Sequence, residues 1–252
     1  MVSLQLANHE IGNLYPIAEA ARLCRQRGAL LHCDAVQAVG RVPIDVAALG
    51  VDALTLSAHK LRGPRGVGAL WVRASLSGRL SPLCVGGGQE RGLRAGTENL
   101  PAIVGFGVAR ALLTDASVDL SARAAATAAL RDRLEARLLA LPGARRHGDG
   151  APGARTPGTC NVAFAGVEGD VLLMALDLRG AAVSTGAACS SGSPEPSPVI
   201  RALGIAAGLS PEAARARARE ALRDSLGAET TQAEVDPVAA WLEEIVAHVR
   251  SL

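Results

Sequence analysis

The tetrapeptide Ser57-Ala58-His59-Lys60 holds the only lysine in a chain of 252 residues. Lysine and arginine together number 26, so a single lysine leaves 25 arginines. Arginine serves as well as lysine for a solvated surface charge, but not where a primary amine must lose its proton and attack a carbonyl. An Arg- and Ala-rich coding bias could also leave one lysine by chance, so the neighbouring residues decide. Asp34-Ala35-Val36-Gln37 precedes Lys60 by 26 residues. Pyridoxal phosphate chemistry needs such parts: a lysine that holds the aldehyde as a Schiff base and moves the Cα proton, and a carboxylate that keeps the pyridine nitrogen protonated so that the ring accepts electrons. Ser57 and His59 can donate to a phosphate, and Gln37 can reach a ring hydroxyl. Taken singly, Asp34 and Gln37 read equally well as a helix-entry cap and an exposed amide, and His59 as a partly buried histidine.

These residues need elements to position them. Val2 to Ala7 alternates like a strand, and Pro16 opens an amphipathic helix that ends at Gly28, with Ile17, Ala20, Ala21, Leu23 and Cys24 inward. Ala29 to Cys33 is a short apolar run closing on Asp34, Asp45 to Leu49 is weakly helical, and Asp52 to Leu56 and Val67 to Val72 repeat the strand pattern. Strands separated by helical crossovers predict a parallel or mixed α/β sheet whose ligands gather at the strands' carboxyl ends, where Asp34 and Lys60 both fall. Leu100 to Leu141 has helical periodicity, and Pro142 to Gly158 is rich in turn residues. Beyond it a strand is expected at Asn161 to Phe164, a helix at Glu168 to Leu178, a strand at Ala181 to Ser184, and helices around Pro198 to Leu203 and Ala233 to Val249. This pattern predicts a large domain over residues 1–118 and a smaller α+β domain over 119–252.

Composition removes several other functions. The net charge is +2 with both signs interleaved, and aromatic residues number five, which argues against nucleic acid. Arg215, Arg217 and Arg219 follow Ser210-Pro211 in an Ala-rich run and read as a solvated helical face. No apolar run approaches the roughly 20 residues of a bilayer span, and the opening residues carry no export signal, so a soluble, cytoplasmic protein is expected, with no membrane partner. Five cysteines, an odd number and never spaced C-x-x-C, read as free thiols. No phosphate-binding G-x-x-x-x-G-K-[ST] occurs, and His32-Cys33-Asp34 would point to alternate faces of a strand, which predicts neither nucleotide nor metal.

Five motifs together are specific: Asn8-His9-Glu10-Ile11-Gly12, His32 to Gln37, Ser57 to Lys60, Gly86-Gly87-Gly88-Gln89-Glu90-Arg91-Gly92-Leu93-Arg94-Ala95-Gly96-Thr97, and Ser184-Thr185-Gly186-Ala187-Ala188-Cys189-Ser190-Ser191-Gly192. In order and spacing, over almost the whole chain, they resemble cysteine desulfurases of the NifS/IscS type, within the class V aminotransferases. The resemblance implies an α/β fold, the PLP-dependent transferase (aspartate aminotransferase-like) large domain, N-terminally incomplete, with a smaller α+β C-terminal domain. It implies pyridoxal 5'-phosphate held by Lys60, with Asp34 at the ring nitrogen, Gln37 and Asn8 at the ring hydroxyl or substrate, and Ser57 and His59 at the phosphate. Thr97 would reach the phosphate of a neighbouring subunit's cofactor, which implies a homodimer. Cys189, in a loop of small polar residues, would be the catalytic nucleophile, and Arg223 would clamp the substrate carboxylate. The reaction so implied takes sulfur from L-cysteine, releases L-alanine and leaves a persulfide for an acceptor such as an iron–sulfur scaffold or a thiolation protein.

Two departures stand against the family pattern. Asp224 follows Arg223 where the family usually has an apolar residue; on a regular strand it would face away from Arg223, and on an irregular one it would compete for the guanidinium. Family members also carry a substantial segment before the equivalent of Asn8, which supplies a histidine stacked on the pyridoxal ring and a phosphate-gripping turn. The alternatives to a cysteine desulfurase are a selenocysteine lyase, another class V aminotransferase, and a non-catalytic remnant that binds or dimerises without turnover.

Overall fold

Four strands form the first sheet of the computed structural model, in the order β1 (Val2–Gln5), β2 (Leu31–Asp34), β3 (Ala53–Ser57), β4 (Gly68–Val72). The first three run parallel and β4 returns antiparallel to β3, so the sheet is mixed. The structure describes residues 1–115, 118–187 and 195–252. Helix α1 (Ile17–Gln26) connects β1 to β2 and buries Ile17 and Ala21, which lie one turn apart on one face. The four-residue α2 (Val46–Leu49) forms because Asp45 Oδ1 accepts from the amides of Ala47 and Ala48, at 2.8 and 3.2 Å, and because Gly50 closes it in the left-handed region. Leu31, Cys33 and Leu54 are buried at alternate positions of the two central strands, and α3 (Leu100–Leu113) buries Ala102 and Ala109.

The second sheet is antiparallel, with β6 (Thr159–Phe164) between β5 (Ala144–Arg146) and β7 (Ala221–Ser225). Period-2 alternation sorts β6 into two faces. Cys160, Val162 and Phe164 pack with Leu222 into a core completed by α4 (Leu120–Leu139), α5 (Gly169–Asp177) and α8 (Gln232–Ser251), through residues such as Leu138, Leu172 and Leu242. On the opposite face, Ala221 meets Ile11 together with Ile200 of α6 (Pro198–Ala206) and Ala218 of α7 (Pro211–Arg219).

Two compact units result, Met1–Ala7 with Tyr15–Ser121 and Asn8–Leu14 with Ala122–Leu252. A two-part division at 118/119 does not contain the excursion of Asn8–Leu14, which is fixed to the second unit by Thr156 N donating to Gly12 O (2.8 Å), Leu14 N to Ala154 O (2.8 Å) and Asp149 N to Asn13 Oδ1 (2.8 Å). Gly148 permits the close approach: its φ is +100°, and a Cβ there would lie 2.7 Å from Ile11 O.

Three local expectations fail, the first at Leu23, which α1 leaves exposed and not inward. Ala181 to Ser184 forms no strand beyond one bridge at Ser184, because Ala181 N is used to close the end of α5 on Leu176 O at 3.0 Å. Conversely, Ala144–Arg146 lies in the stretch expected as loop and adds the short edge strand β5.

Candidate active site

In the first unit, Asp34 ends β2 in register with Thr55, two residues before β3 ends at Ser57. Both parallel strands thus bring chemistry-bearing residues to their carboxyl ends. Asp34 Oδ1 accepts from Val36 N at 2.9 Å, which anchors the carboxylate at the strand exit. Gln37 is not the loose amide of the single-residue reading. Arg41 Nη1 donates to its Oε1 at 2.6 Å and to its carbonyl at 2.7 Å, so the amide presents its Nε2 donor. After Ser57 the chain makes one turn of 3-10 helix, Ala58–Leu61. Ala58 and Leu61 are buried, and Ala58 N donates to Val67 O at 3.1 Å. Pinning positions i and i+3 to the core leaves His59 exposed and Lys60 half-buried on the other side of the turn. Ser57 Oγ and His59 Nδ1 are 2.7 Å apart. Thr97 lies in the same unit on an exposed segment, its carbonyl accepting from Arg94 Nη1 at 3.3 Å.

Asn8 and Arg223 belong to the second unit. Asn8 is buried, and its Oδ1 accepts from Glu10 N and Ile11 N at 2.9 and 3.1 Å. Arg223 Nη1 donates to His9 O at 3.0 Å. The Arg223 main chain exchanges two hydrogen bonds with Ser184, 2.6 and 3.1 Å long, and this ties the start of the Ser184 to Gly192 motif to β7. Cys189 lies outside the described residues. The strand is regular through Arg223, so Asp224 takes the opposite, helix-packed face, opposite Cys160 in the ladder. Neither carboxylate oxygen of Asp224 has a hydrogen-bond partner among the described residues. Burial, opposed by the Arg223 charge, pushes its pKa up to about 7.

The structure therefore gathers Asp34, Ser57, His59 and Lys60 at the ends of two neighbouring strands, and joins Arg223 to the Asn8–Leu14 segment through His9. Sequence reasoning missed Arg41, although its four-residue spacing from Gln37 was a usable signal. It also missed Asn161 and His147, hydrogen-bonded at 2.9 Å between Oδ1 and Nδ1. An amide inside the apolar run Cys160–Phe164 was the available clue.

A model of the class V aminotransferase family matches residues 1–238. Across its whole length the chain is 47% identical to a cysteine desulfurase of Cereibacter sphaeroides and 46% identical to one of Klebsiella pneumoniae. It spans 61% and 60% of those two proteins, about three fifths of the length of the curated relatives it matches. The crystal structure of a NifS-like protein from Rickettsia africae matches 98% of the chain with a TM-score of 0.81 at 31% identity, using 61% of its own residues. A second NifS-like structure matches the same share with a TM-score of 0.80 at 34% identity. The α/β fold is that of these proteins, and a match over nearly the whole chain shows that it belongs to the class V aminotransferase family.

Proposed function

We propose that this chain carries the lysine, the ring-facing residues and the thiol of a pyridoxal-phosphate-dependent cysteine desulfurase, which converts L-cysteine to L-alanine and passes the sulfur on as a persulfide. The observation that carries the reading is the position of the only lysine on a pinned turn after β3, with Asp34 at the end of the neighbouring parallel strand β2. An amine, a carboxylate, a hydroxyl–imidazole pair and an oriented amide form a donor set that fits pyridoxal phosphate. When bound, the cofactor would supply an electron sink for the charge left at the substrate Cα.

Lys60 would hold the cofactor's aldehyde carbon, and its amine would take the proton from the substrate Cα. Asp34 would keep the ring nitrogen protonated, Gln37 would donate to the ring hydroxyl through the amide that Arg41 orients, and Ser57 and His59 would donate to the phosphate. Thr97, exposed on its segment, would serve the phosphate of a neighbouring subunit in a homodimer. Arg223 and Asn8 bind the substrate carboxylate and its surroundings. The Cys189 thiolate attacks the sulfur of L-cysteine: the Sγ–S bond forms as the substrate Cβ–S bond breaks, and the electron pair of the broken bond stays with the carbon fragment, which takes up protons and leaves as L-alanine. The persulfide on Cys189 then goes to an acceptor protein, an iron–sulfur scaffold or a thiolation protein. Four cysteines among the described residues are free thiols, which suits a reducing, cytoplasmic setting.

The test is L-cysteine-dependent formation of alanine with cofactor present. Cys189→Ser should stop alanine release while cofactor absorbance is retained, and peptide mapping of the parent should find the extra sulfur on Cys189. Unchanged alanine release by the variant would move the chemistry to another residue.

A further inference from the structure

Asn161 and His147 are buried, polar and unused by the chemistry above, with 0% and 3% of their surface exposed. Asn161 occupies the face of β6 that looks away from the helical core, where its ladder partner on β7 is Arg223. Its Nδ2 donates to Glu10 O at 3.2 Å, and Arg223 Nη1 donates to His9 O at 3.0 Å. Two side chains facing each other across a ladder thus hold two successive carbonyls of the Asn8–Leu14 segment. Between them the next two amides, of Glu10 and Ile11, point to Asn8 Oδ1. The carboxamide of Asn8 therefore takes its direction from a main chain that Asn161 and Arg223 hold.

The polarity of this network is determined. A carbonyl only accepts, so the Asn161 nitrogen must face Glu10 O and its oxygen must face His147, whose Nδ1 must carry the proton. Burial, aided by the charges of Arg217 and Arg145 and opposed by the Asn161 hydrogen bond and Glu220, holds the His147 pKa below its ordinary value, so the ring is a neutral donor. The Asn161 amide cannot turn over without setting its oxygen against Glu10 O and leaving two buried acceptors unpaired.

We propose that Asn161, oriented by His147, is a positioning residue for the substrate end of the site: it fixes the main chain at His9 to Ile11, and through it the Asn8 carboxamide and the Arg223 guanidinium. Its effect on substrate rests on the desulfurase reading above; its effect on the segment does not. Removing the donor frees Glu10 O, loosens the two amides on Asn8 Oδ1, and takes from Arg223 the carbonyl that holds its Nη1.

Amide hydrogen exchange of the full chain separates positioning from general stability. In Asn161→Ala and in His147→Leu, exchange at Glu10 and Ile11 should quicken about tenfold or more, while Val162 and Leu222 in the ladder change by less than about twofold. His147→Gln, which keeps an N–H donor, should restore protection. With desulfurase activity present, the same variants should raise KM for L-cysteine about tenfold and leave kcat within about threefold. Unchanged exchange at Glu10 and Ile11 would overturn the proposal, as would equal acceleration of the segment and the ladder, or a loosened segment with unchanged KM in an active enzyme. If the unsubstituted chain turns over no cysteine, the desulfurase reading fails, and the exchange comparison alone decides the role of Asn161.

Discussion

Arg133, Arg137, Arg155 and Arg179 each grip a carboxylate with two nitrogens, on Asp236, Glu243, Glu135 and Glu244, at distances between 2.6 and 3.0 Å. A planar guanidinium makes such forks and an ammonium does not. Arginine has positional uses throughout the second unit, and the one primary amine side chain stands on the turn after β3. Borohydride reduction in the presence of pyridoxal phosphate should therefore label Lys60, and Lys60→Arg should remove the label; peptide mapping that finds it only on the N-terminal amine would refute the assignment. At Asp224 the carboxyl pKa is raised in the folded chain, so the native state keeps a proton that the unfolded chain releases. That stabilisation is complete below about pH 4 and is lost as pH rises through about 7, a change on the order of 4 kcal/mol. Asp224→Asn cannot ionise. Denaturant melts from pH 4 to 8 should show parent stability falling relative to the variant by several kcal/mol, whereas parallel curves would mean that Asp224 has a partner when ionised.

At the scale of elements, the buried pair Arg155–Glu135 ties α4 to the segment before β6 at 2.8 Å, with Arg146 a third member at 3.3 Å. Burial alone would raise the Glu135 pKa, but Arg155 and then Arg146 hold it below the usual carboxylate range. Truncating one partner leaves the other charge buried, so Arg155→Met should cost roughly 3–5 kcal/mol, and the double variant Arg155→Met/Glu135→Gln should recover part of it. Urea titration decides this. Because the folded pKa of Glu135 is depressed, the pair's contribution is present above the unfolded carboxylate pKa, near 4.3, and is lost as pH falls through the lower folded value. The same segment borders the docking of Asn8–Leu14, where Gly148→Ala would drive a Cβ to within 2.7 Å of Ile11 O. A substitution there should destabilise by about 1–3 kcal/mol, and a melting temperature equal to that of the parent would show that the approach can relax.

Across the whole molecule, apolar surface is concentrated on the first unit. Leu100, Val104, Val108 and Leu112 recur every four residues along α3 and stand exposed, as do Leu70 and Trp71 on the edge strand β4. Monomers seldom leave such a stripe and an open strand edge bare together. Sedimentation should show association that grows with concentration, and the pair Leu70→Lys with Val104→Glu should reduce it; a parent that stays monomeric across the micromolar range would contradict this. No helix among the described residues is long and apolar enough to cross a membrane.

Periodicity and boundary residues were sufficient for the strands and α-helices of the first unit, because Pro16, Gly28 and the apolar run from Ala29 to Cys33 act within a few residues of chain. The lone lysine and its spacing from Asp34 were legible for the same reason: a strand end is a local event, and two parallel strands bring their ends together. Other features depend on residues far apart in sequence. Gly12 and Gly148 let the Asn8–Leu14 segment join the second unit, Ala181 is drawn away from a strand by the end of α5, and Arg223 holds a carbonyl 214 positions away. Asn161 belongs with these, since an amide inside an apolar strand signals that it must find partners, and only the tertiary structure could show that they are Glu10 and His147.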